Sequence, residues 1–423
     1  NVLIGGNAGD ALTAGDFNVA IGKNALGAED GHGYNVAIGH ETLKAQNAGA
    51  DAYNVAVGYK TGTAISTGIQ STLVGAFAGD ALTTGQYNVA VGTYALTTED
   101  TGSNAVAIGF GTLANQNYNG TSYNVAVGHE AGNDITTGIQ NTLIGGLAGD
   151  ALTTGSNNVA IGYQALSAED AHGKNVAIGW NSLASQDAGA DAFNVAVGYE
   201  AGVSVSTGIN NVLVGGQAGD ALTTGTNNVA IGFQALSTQD VNGQNVAIGT
   251  QALRDQIVAG HGNNTAVGHQ AGLTVTTGVQ NTLIGGQAGD ALTTGNYNTA
   301  IGYQALTTED AHGNNVAVGY KALRDLNAGA NGLNTAVGYQ AGMRLSTGIT
   351  NVMVGSSAGD HLTTGNENIA IGYQALTTED THGRNVAIGH NTLRDQNAGA
   401  DAYNIAIGYE AGKVVSTGTY NTL

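Results

Sequence analysis

Asn298-Thr299-Ala300-Ile301-Gly302-Tyr303-Gln304-Ala305-Leu306-Thr307-Thr308-Glu309-Asp310-Ala311-His312-Gly313-Asn314 is followed at Asn315 by the same pattern again, Asn-Val-Ala-Val-Gly. The motif Asn-[Val/Thr/Ile]-[Ala/Leu/Met]-[Ile/Val]-Gly starts at 1, 18, 35, 54 and 71, and the same steps continue to a truncated start at 421. Its spacings of 17, 17, 19 and 17 residues build a higher period of 70. Asn holds 23 of the 25 starts, with Ser71 and Ala105 as the exceptions, and Gly fills the fifth position of all 24 complete turns. A strict short period is the signature of a solenoid, in which each unit buries its apolar side only against its neighbours. The expected fold is therefore all-β: a parallel β-solenoid of about 24 rungs in one continuous array over residues 1–423. Its superrepeats are 1–70, 71–140, 141–210, 211–280, 281–350 and 351–420. The two ends fall in the same phase of the long period, as a window cut from a longer array would.

Composition narrows the function classes. The formal charge is −20 with only 11 Lys plus Arg, which argues against a nucleic-acid groove or an anionic membrane surface. Cysteine is absent, so thiolate metal sites and disulfides are excluded. No apolar run approaches the ~18 residues that span a bilayer, so no membrane insertion is expected in this segment. The glycines, 69 in number, lack a three-residue period, and Pro is absent, so the chain is not collagen-like.

Within a turn, Val19-Ala20-Ile21 is apolar at three consecutive positions, and a strand points alternate residues to opposite faces. The β-branched pair suits a solenoid interior, which would leave the middle residue outside. That residue is Ala in three turns of four and Leu or Met in the fourth. A strand apolar on both faces is expected to be buried on both. The predicted oligomer face is thus Ala20, Ala37, Ala56, Leu73, Leu143, Leu213, Leu283 and Met353. Where the third position is large, the sixth is small (Gly146, Gly286), and where it is Ala the sixth is bulky (Tyr163, Trp180), as a packed contact of constant volume requires. The fifth-position Gly marks a turn of positive φ or a close backbone approach. The start Asn, aligned turn on turn, predicts a side-chain amide ladder or a turn cap. A second short strand is expected around Ala305-Leu306-Thr307-Thr308, its Leu closing the interior.

The third turn of each superrepeat is two residues longer and the most variable. Asn47-Ala48-Gly49-Ala50-Asp51-Ala52-Tyr53 contrasts with Asn117-Tyr118-Asn119-Gly120-Thr121-Ser122-Tyr123 and with Gln256-Ile257-Val258-Ala259-Gly260-His261-Gly262. Variable loops on a rigid scaffold are where binding is usually placed. The candidate contact residues are Asp51, Tyr53, Tyr118, Asn119, Asp191, His261, Asp401 and Tyr403. The second turn carries Glu-Asp-x-His at Glu29 to His32, Glu169 to His172, Glu309 to His312 and Glu379 to His382. These groups could take a divalent cation, but Thr101-Gly102 and Val241-Asn242 replace the His in two superrepeats, so a solvated turn is the expectation and no cofactor is assigned. Gly285-Gly286-Gln287-Ala288-Gly289-Asp290-Ala291-Leu292 is similar to a calcium-binding nonapeptide, yet Ala288 replaces a glycine and the match comes once in 70 residues, too far apart for shared ions. No residue cluster breaks the repeat as a catalytic site would.

Asn-Val-Ala-Ile-Gly and Asn-Thr-Ala-Ile-Gly-Tyr-Gln-Ala-Leu resemble the head repeats of trimeric autotransporter adhesins and the repeats of phage and bacterial tail-fibre-domain proteins. The resemblance implies a left-handed β-roll and three rolls associating with the Ala face inward. These turns are longer than the usual head repeat, and no stalk heptads accompany them. The functional expectation is a non-enzymatic fibre or adhesin shaft at the cell or virion surface or in the extracellular space. It would be homotrimeric and would present its third-turn loops to a surface glycan. An end-to-end self-assembling filament is the alternative. An ice-binding solenoid ranks lower, because its flat Thr ladder is missing.

Overall fold

The computed structural model describes residues 1–238, 241, 243–258 and 260–423. Gln239, Asp240, Asn242 and Ala259 lie outside the described residues, and with Asn242 goes part of one His-less turn. The chain is all-β, in two compact units, Asn1–Asn210 and Asn211–Leu423. The boundary coincides with the end of the third superrepeat. The first unit holds twelve three-residue strands, β1 (Val2–Ile4) to β12 (Val195–Val197), and the second another twelve, β13 (Val212–Val214) to β24 (Ile405–Ile407). In each unit every strand pairs in parallel with the next in sequence, and like position meets like: Val159 faces Val176, Ala160 faces Ala177 and Ile161 faces Ile178. This is the solenoid that the repeat predicts, one strand per turn.

The expected second strand is not formed. Beyond the fifth-position Gly the chain runs through turns and bends. The reason is local: Gln164 and Leu166 have φ of 54° and 53°, left-handed values on either side of Ala165, so the backbone coils instead of extending. Stacking nevertheless continues there, because Leu166 N donates to Ser182 O at 3.0 Å and Gly149 N to Ala165 O at 2.9 Å. The Leu does close the interior as expected, with Leu306 fully buried.

The faces of the strand are the reverse of the expectation. Ala20, Ala37, Ala56, Leu73, Leu143, Leu213, Leu283 and Met353 are 0% exposed and form the interior of the coil. Their β-branched neighbours, such as Val19 and Ile21, stand half-exposed on the outside. The predicted oligomer face is therefore the core of the single chain. The interior takes one strand residue per turn, Ala, Leu or Met, and is completed by apolar side chains from later in the turn, such as Leu166, Ile65, Ile135 and Val205. The true volume exchange is internal. Leu143 fills the space above two glycines: a Cβ at Gly132 would lie 2.6 Å from Leu143 Cδ1, and one at Gly149 would lie 2.9 Å from its Cδ2. Turns with Ala in the third position carry Leu in the ninth (Leu166, Leu183) or, where that too is Gly (Gly202), an apolar residue three further on (Val205). The small sixth position serves a different end, since Gly146 and Gly286 lie beneath the rings of Tyr163 and Tyr303.

Two features lock turn upon turn. Each fifth-position Gly has φ between 130° and 145°, a region that L side chains rarely adopt. At Gly215 a Cβ would also lie 2.6 Å from the Gly232 carbonyl oxygen of the next turn, and at Gly162 it would lie 2.6 Å from the Gly179 carbonyl carbon. The start Asn residues form the predicted ladder inside the coil. Asn175 N donates to Asn158 Oδ1 at 3.0 Å and Asn158 N to Asn141 Oδ1 at 2.9 Å, while Asn141 Nδ2 donates to Gly155 O at 2.9 Å. Ser71 keeps the acceptor, its Oγ taking Asn88 N at 3.3 Å; Ala105 supplies none. A buried backbone N–H without its acceptor costs about 1–3 kcal/mol, so the ladder protects each turn's entry.

Two substitutions test this account. Gly162→Ala meets both strain and overlap and should cost on the order of 3 kcal/mol or more, read as a lower thermal midpoint and faster amide exchange in the flanking turns. Gly146→Ala, whose Cβ would make ordinary contacts with the Tyr163 ring at 3.5 Å and the His129 carbonyl oxygen at 3.9 Å, should leave both near wild type.

Candidate functional site

The outer surface of each strand is the first candidate. It presents Val, Ile or Thr at the second and fourth positions of every turn, in register from turn to turn. Ile144 keeps 39% and Ile284 37% of its surface open, although both are large hydrocarbons. Thr enters only at the second position (Thr72, Thr142, Thr265, Thr282, Thr299, Thr335), so the face is mainly hydrocarbon. Two columns border it. The sixth and seventh positions carry aromatics that stack along the first unit: His40 on Tyr59 at 5.4 Å, Phe77 on Tyr94 at 5.3 Å and Phe110 on His129 at 5.4 Å. Edge contacts join these pairs, Tyr59 to Phe77 and Tyr94 to Phe110. The column reappears as Trp180 on Tyr199, and in the second unit as Tyr303, Tyr320 and Tyr339.

The other border is the residue before each start Asn. Phe17, Tyr34 and Tyr53 stack there at 4.9 Å, and Tyr403 stacks on Tyr420 at 5.2 Å. On these positions together, the borders at the sixth and pre-Asn positions and the two strand positions, the only acidic residue is Glu367, although the chain holds 31 Asp plus Glu. The seventh position, which carries Phe77 and Tyr94 of the column, adds Glu41, Glu130, Glu200 and Glu410, so the surface free of acidic residues is that of the strand positions themselves. In the second unit a glutamine ladder runs beside it, with Gln234 Nε2 donating to Gln217 Oε1 at 3.1 Å and Gln251 Nε2 to Gln234 Oε1 at 3.2 Å.

The third-turn loops are pinned rather than loose. Asp51 Oδ1 accepts Gly33 N at 3.0 Å, Asp191 Oδ1 accepts Gly173 N at 3.1 Å and Asp401 Oδ1 accepts Gly383 N at 3.1 Å. Each candidate aspartate is therefore a cap on the preceding turn. Its second oxygen is free to meet cations: Lys174 Nζ lies 2.6 Å from Asp191 Oδ2. Arg384 reaches Glu367 at 2.9 Å, Asp401 at 2.8 Å and the Tyr403 hydroxyl at 2.5 Å. Lys174 holds the Asp191 carboxyl below the ordinary aspartate range, with help from Gly173 N–H. Tyr118 is half-buried and its N–H is tied to Glu99. Asn119 accepts Thr101 Oγ1 at 2.6 Å and stays exposed, as do Tyr53 and His261. The loops' open groups are thus Tyr53, Asn119, His261 and Tyr403.

The Glu-Asp-x-His turn is solvated, as the sequence suggests, at Asp30, Asp170 and Asp310, but not at its glutamate. Glu29, Glu99, Glu169, Glu309 and Glu379 are fully buried. Each reaches back to cap its own turn: Glu169 Oε1 accepts His172 N at 3.0 Å and Glu309 Oε1 accepts His312 N at 3.0 Å. In Glu309 the other oxygen holds the longer third turn, Oε2 accepting Ala328 N at 3.2 Å, whereas Oε2 of Glu29 and of Glu379 is buried without a hydrogen-bond partner. Where the His is missing the same job is done more fully. Glu99 takes Gly102 N at 2.7 Å, Gln116 Nε2 at 3.0 Å and Tyr118 N at 3.2 Å. One ligand atom each from Glu29, Asp30 and His32 lie within 4.8 Å of one another, as do those of the three sister turns, so the geometry admits a cation. Glu99 is buried with both oxygens satisfied by protein donors, while Glu29 Oε2 and Glu379 Oε2 are left without one. Burial is the largest influence on Glu99, Glu169, Glu309 and Glu379 and pushes each carboxyl above the ordinary glutamate range, against the hydrogen bonds that pull it down.

No protein-family model, curated protein or solved structure matches this chain. Among the described residues no helix is long and apolar enough to cross a membrane.

The buried glutamates set a pH dependence. A carboxyl whose folded pKa is raised binds its proton more tightly in the folded chain, so folding is favoured below the ordinary pKa of ~4.3 and that advantage is lost as pH rises through the raised values. The thermal midpoint should therefore be higher near pH 5 than near pH 8. Glu→Gln replacement at 99, 169, 309 and 379 should flatten the slope. A midpoint that climbs with pH would contradict the assignment.

Proposed function

We propose that this chain is a structural, non-catalytic segment of an extracellular or surface fibre, of the adhesin-shaft or tail-fibre kind its repeats resemble, and that its copies associate through the outer Val/Ile/Thr face. The observation that carries this reading is the absence of acidic residues from the Val/Ile/Thr strand positions of a strongly acidic chain. Water gives no reason to line up two β-branched hydrocarbons per turn on an exposed sheet, whereas a partner carrying the same face does. Aromatic residues at the borders with charge kept away from the centre is the composition expected of a protein interface. Twelve turns with two half-exposed side chains each offer roughly 1,000 Å² per unit, above the ~800 Å² per partner of a standard interface.

The third-turn loops lie outside that face at their open groups Asn119 and His261, and a glycan or another surface ligand is the contact proposed for them. The pinned aspartates suit a loop that must keep its shape when it is touched. A fibre also fits the evenness of the coil: the same Gly, Asn and Ala positions do the same work in turn after turn, which makes each turn a spacer.

Light scattering tests the association. The solution mass should be near three times the 42.1 kDa chain, and Ile161→Lys with Ile178→Lys should dissociate the assembly while leaving the circular dichroism of the coil intact. A wild-type mass of 42.1 kDa would overturn the trimer, and open-ended growth would replace it with a filament.

A further inference from the structure

The two border columns hold a second feature, independent of assembly. Seven of the 17 tyrosines stack directly on another tyrosine one turn away. Tyr34 and Tyr53 lie with ring centroids 4.9 Å apart and planes 20° from parallel. Tyr303 and Tyr320 are 5.8 Å apart, Tyr320 and Tyr339 5.2 Å, and Tyr403 and Tyr420 5.2 Å. All seven are exposed. Each pair joins residues 17 or 19 apart in sequence, so it bridges consecutive turns. The chain has no cysteine with which to staple those turns.

We propose that these tyrosine pairs are oxidative cross-linking sites, at which a one-electron phenol oxidant of the peroxidase and hydrogen peroxide class joins Tyr34 to Tyr53, Tyr320 to Tyr303 or Tyr339, and Tyr403 to Tyr420. The chemistry balances. Each phenol gives up one electron and its hydroxyl proton, and the two phenoxyl radicals couple through a new carbon–carbon bond between ring positions ortho to the oxygens. Each coupled carbon then passes its hydrogen back to the oxygen as the ring regains aromaticity. One peroxide accepts the two electrons and two protons and leaves as two waters. The stack supplies what the coupling needs, a second phenol held beside the first, so the bimolecular encounter becomes an intramolecular one. Exposure lets the oxidant reach the ring edges and lets the side chains turn edge to edge.

The chain contains its own controls. Tyr87 is flanked in its column by Gln70 and Asn104, Tyr123 by Asn104 and Gln140, and Tyr297 by Gln280 and Asn314. These tyrosines are equally exposed but have no phenol one turn away. The inference goes beyond the association reading and does not require it, because both partners belong to one chain.

Peroxidase and hydrogen peroxide applied to the dilute folded protein, followed by unfolding, trypsin and mass spectrometry, decide the matter. Lys44 separates Tyr34 from Tyr53, Lys321 and Arg324 separate Tyr320 from Tyr339, and Lys413 separates Tyr403 from Tyr420. Each of these staples therefore joins two peptides with the loss of two hydrogens. A staple between Tyr303 and Tyr320 instead closes a loop within 255–321 and is placed by fragment sequencing, which also tells it from Tyr297. The expected products link 24–44 to 45–60, 255–321 to 325–344 and 395–413 to the peptide beginning at Val414. Each should exceed any link through Tyr87, Tyr123 or Tyr297 by at least about tenfold, the advantage of a held partner. Tyr53→Phe, which keeps the stacked ring, should abolish the first product and spare the third. Prior unfolding in urea should erase the pattern. Links spread evenly over the tyrosines, or links that disappear on dilution and so form between chains, would overturn the proposal.

Discussion

Everything in this coil follows from how closely successive turns approach at the fifth position. The Gly backbones there leave no room for a Cβ: at Gly58 one would stand 2.6 Å from the Gly75 carbonyl oxygen. With φ near 140° the chain leaves the strand in a direction open only to glycine. The corner is so tight that a turn closes in 17 residues around one three-residue strand. Left-handed residues at the seventh and ninth positions, such as Gln164 and Leu166, then coil the backbone, and the apolar interior is mostly Ala and Leu with a few residues such as Ile65 and Val205.

So narrow a bore has little hydrocarbon to offer, and buried polar groups share the work. The Asn ladder gives each turn's entry an acceptor on the turn before, and the buried glutamate does the same for the longer third turn. Both sit in the interior, where a satisfied hydrogen bond is worth more than at the surface and an unsatisfied one costs more. The glutamates show the cost as well as the gain. Desolvation outweighs the hydrogen bonds they receive, so their carboxyls hold protons more tightly than free glutamate. Structural capping of this kind resembles a metal site in sequence, since both need a carboxylate three residues before a group with donor or ligand atoms.

On the outside the same economy is reversed. With Ala, Leu or Met holding the strand's inward position, its β-branched residues form an apolar surface, and the acidic residues lie elsewhere. The proposed association and the proposed tyrosine staples both arise from one property of a stacked coil: whatever side chain occupies a position is repeated about 4.8 Å further on. A single exposed Val or Tyr signifies little; a register of them makes a face or a column.

The repeat made the fold class, the turn length, the Gly corner and the Asn ladder readable from sequence, because each depends on a local position recurring at fixed spacing. The alternation of Val19, Ala20 and Ile21 likewise revealed that two faces exist. Which face lies inward was decided only by closure of the coil. All three residues are apolar, so polarity gave no vote. Packing did: Ala20 and Leu143 turn inward, with Gly132 and Gly149 making room for the leucine. The burial of Glu309 was equally invisible, since Glu-Asp-x-His is polar throughout and only the neighbouring longer turn, through Ala328 N, folds over it. The pairing of Tyr34 with Tyr53 was written in their common position. Its meaning came from turns stacked in parallel register, which holds two rings 19 residues apart in face-to-face contact.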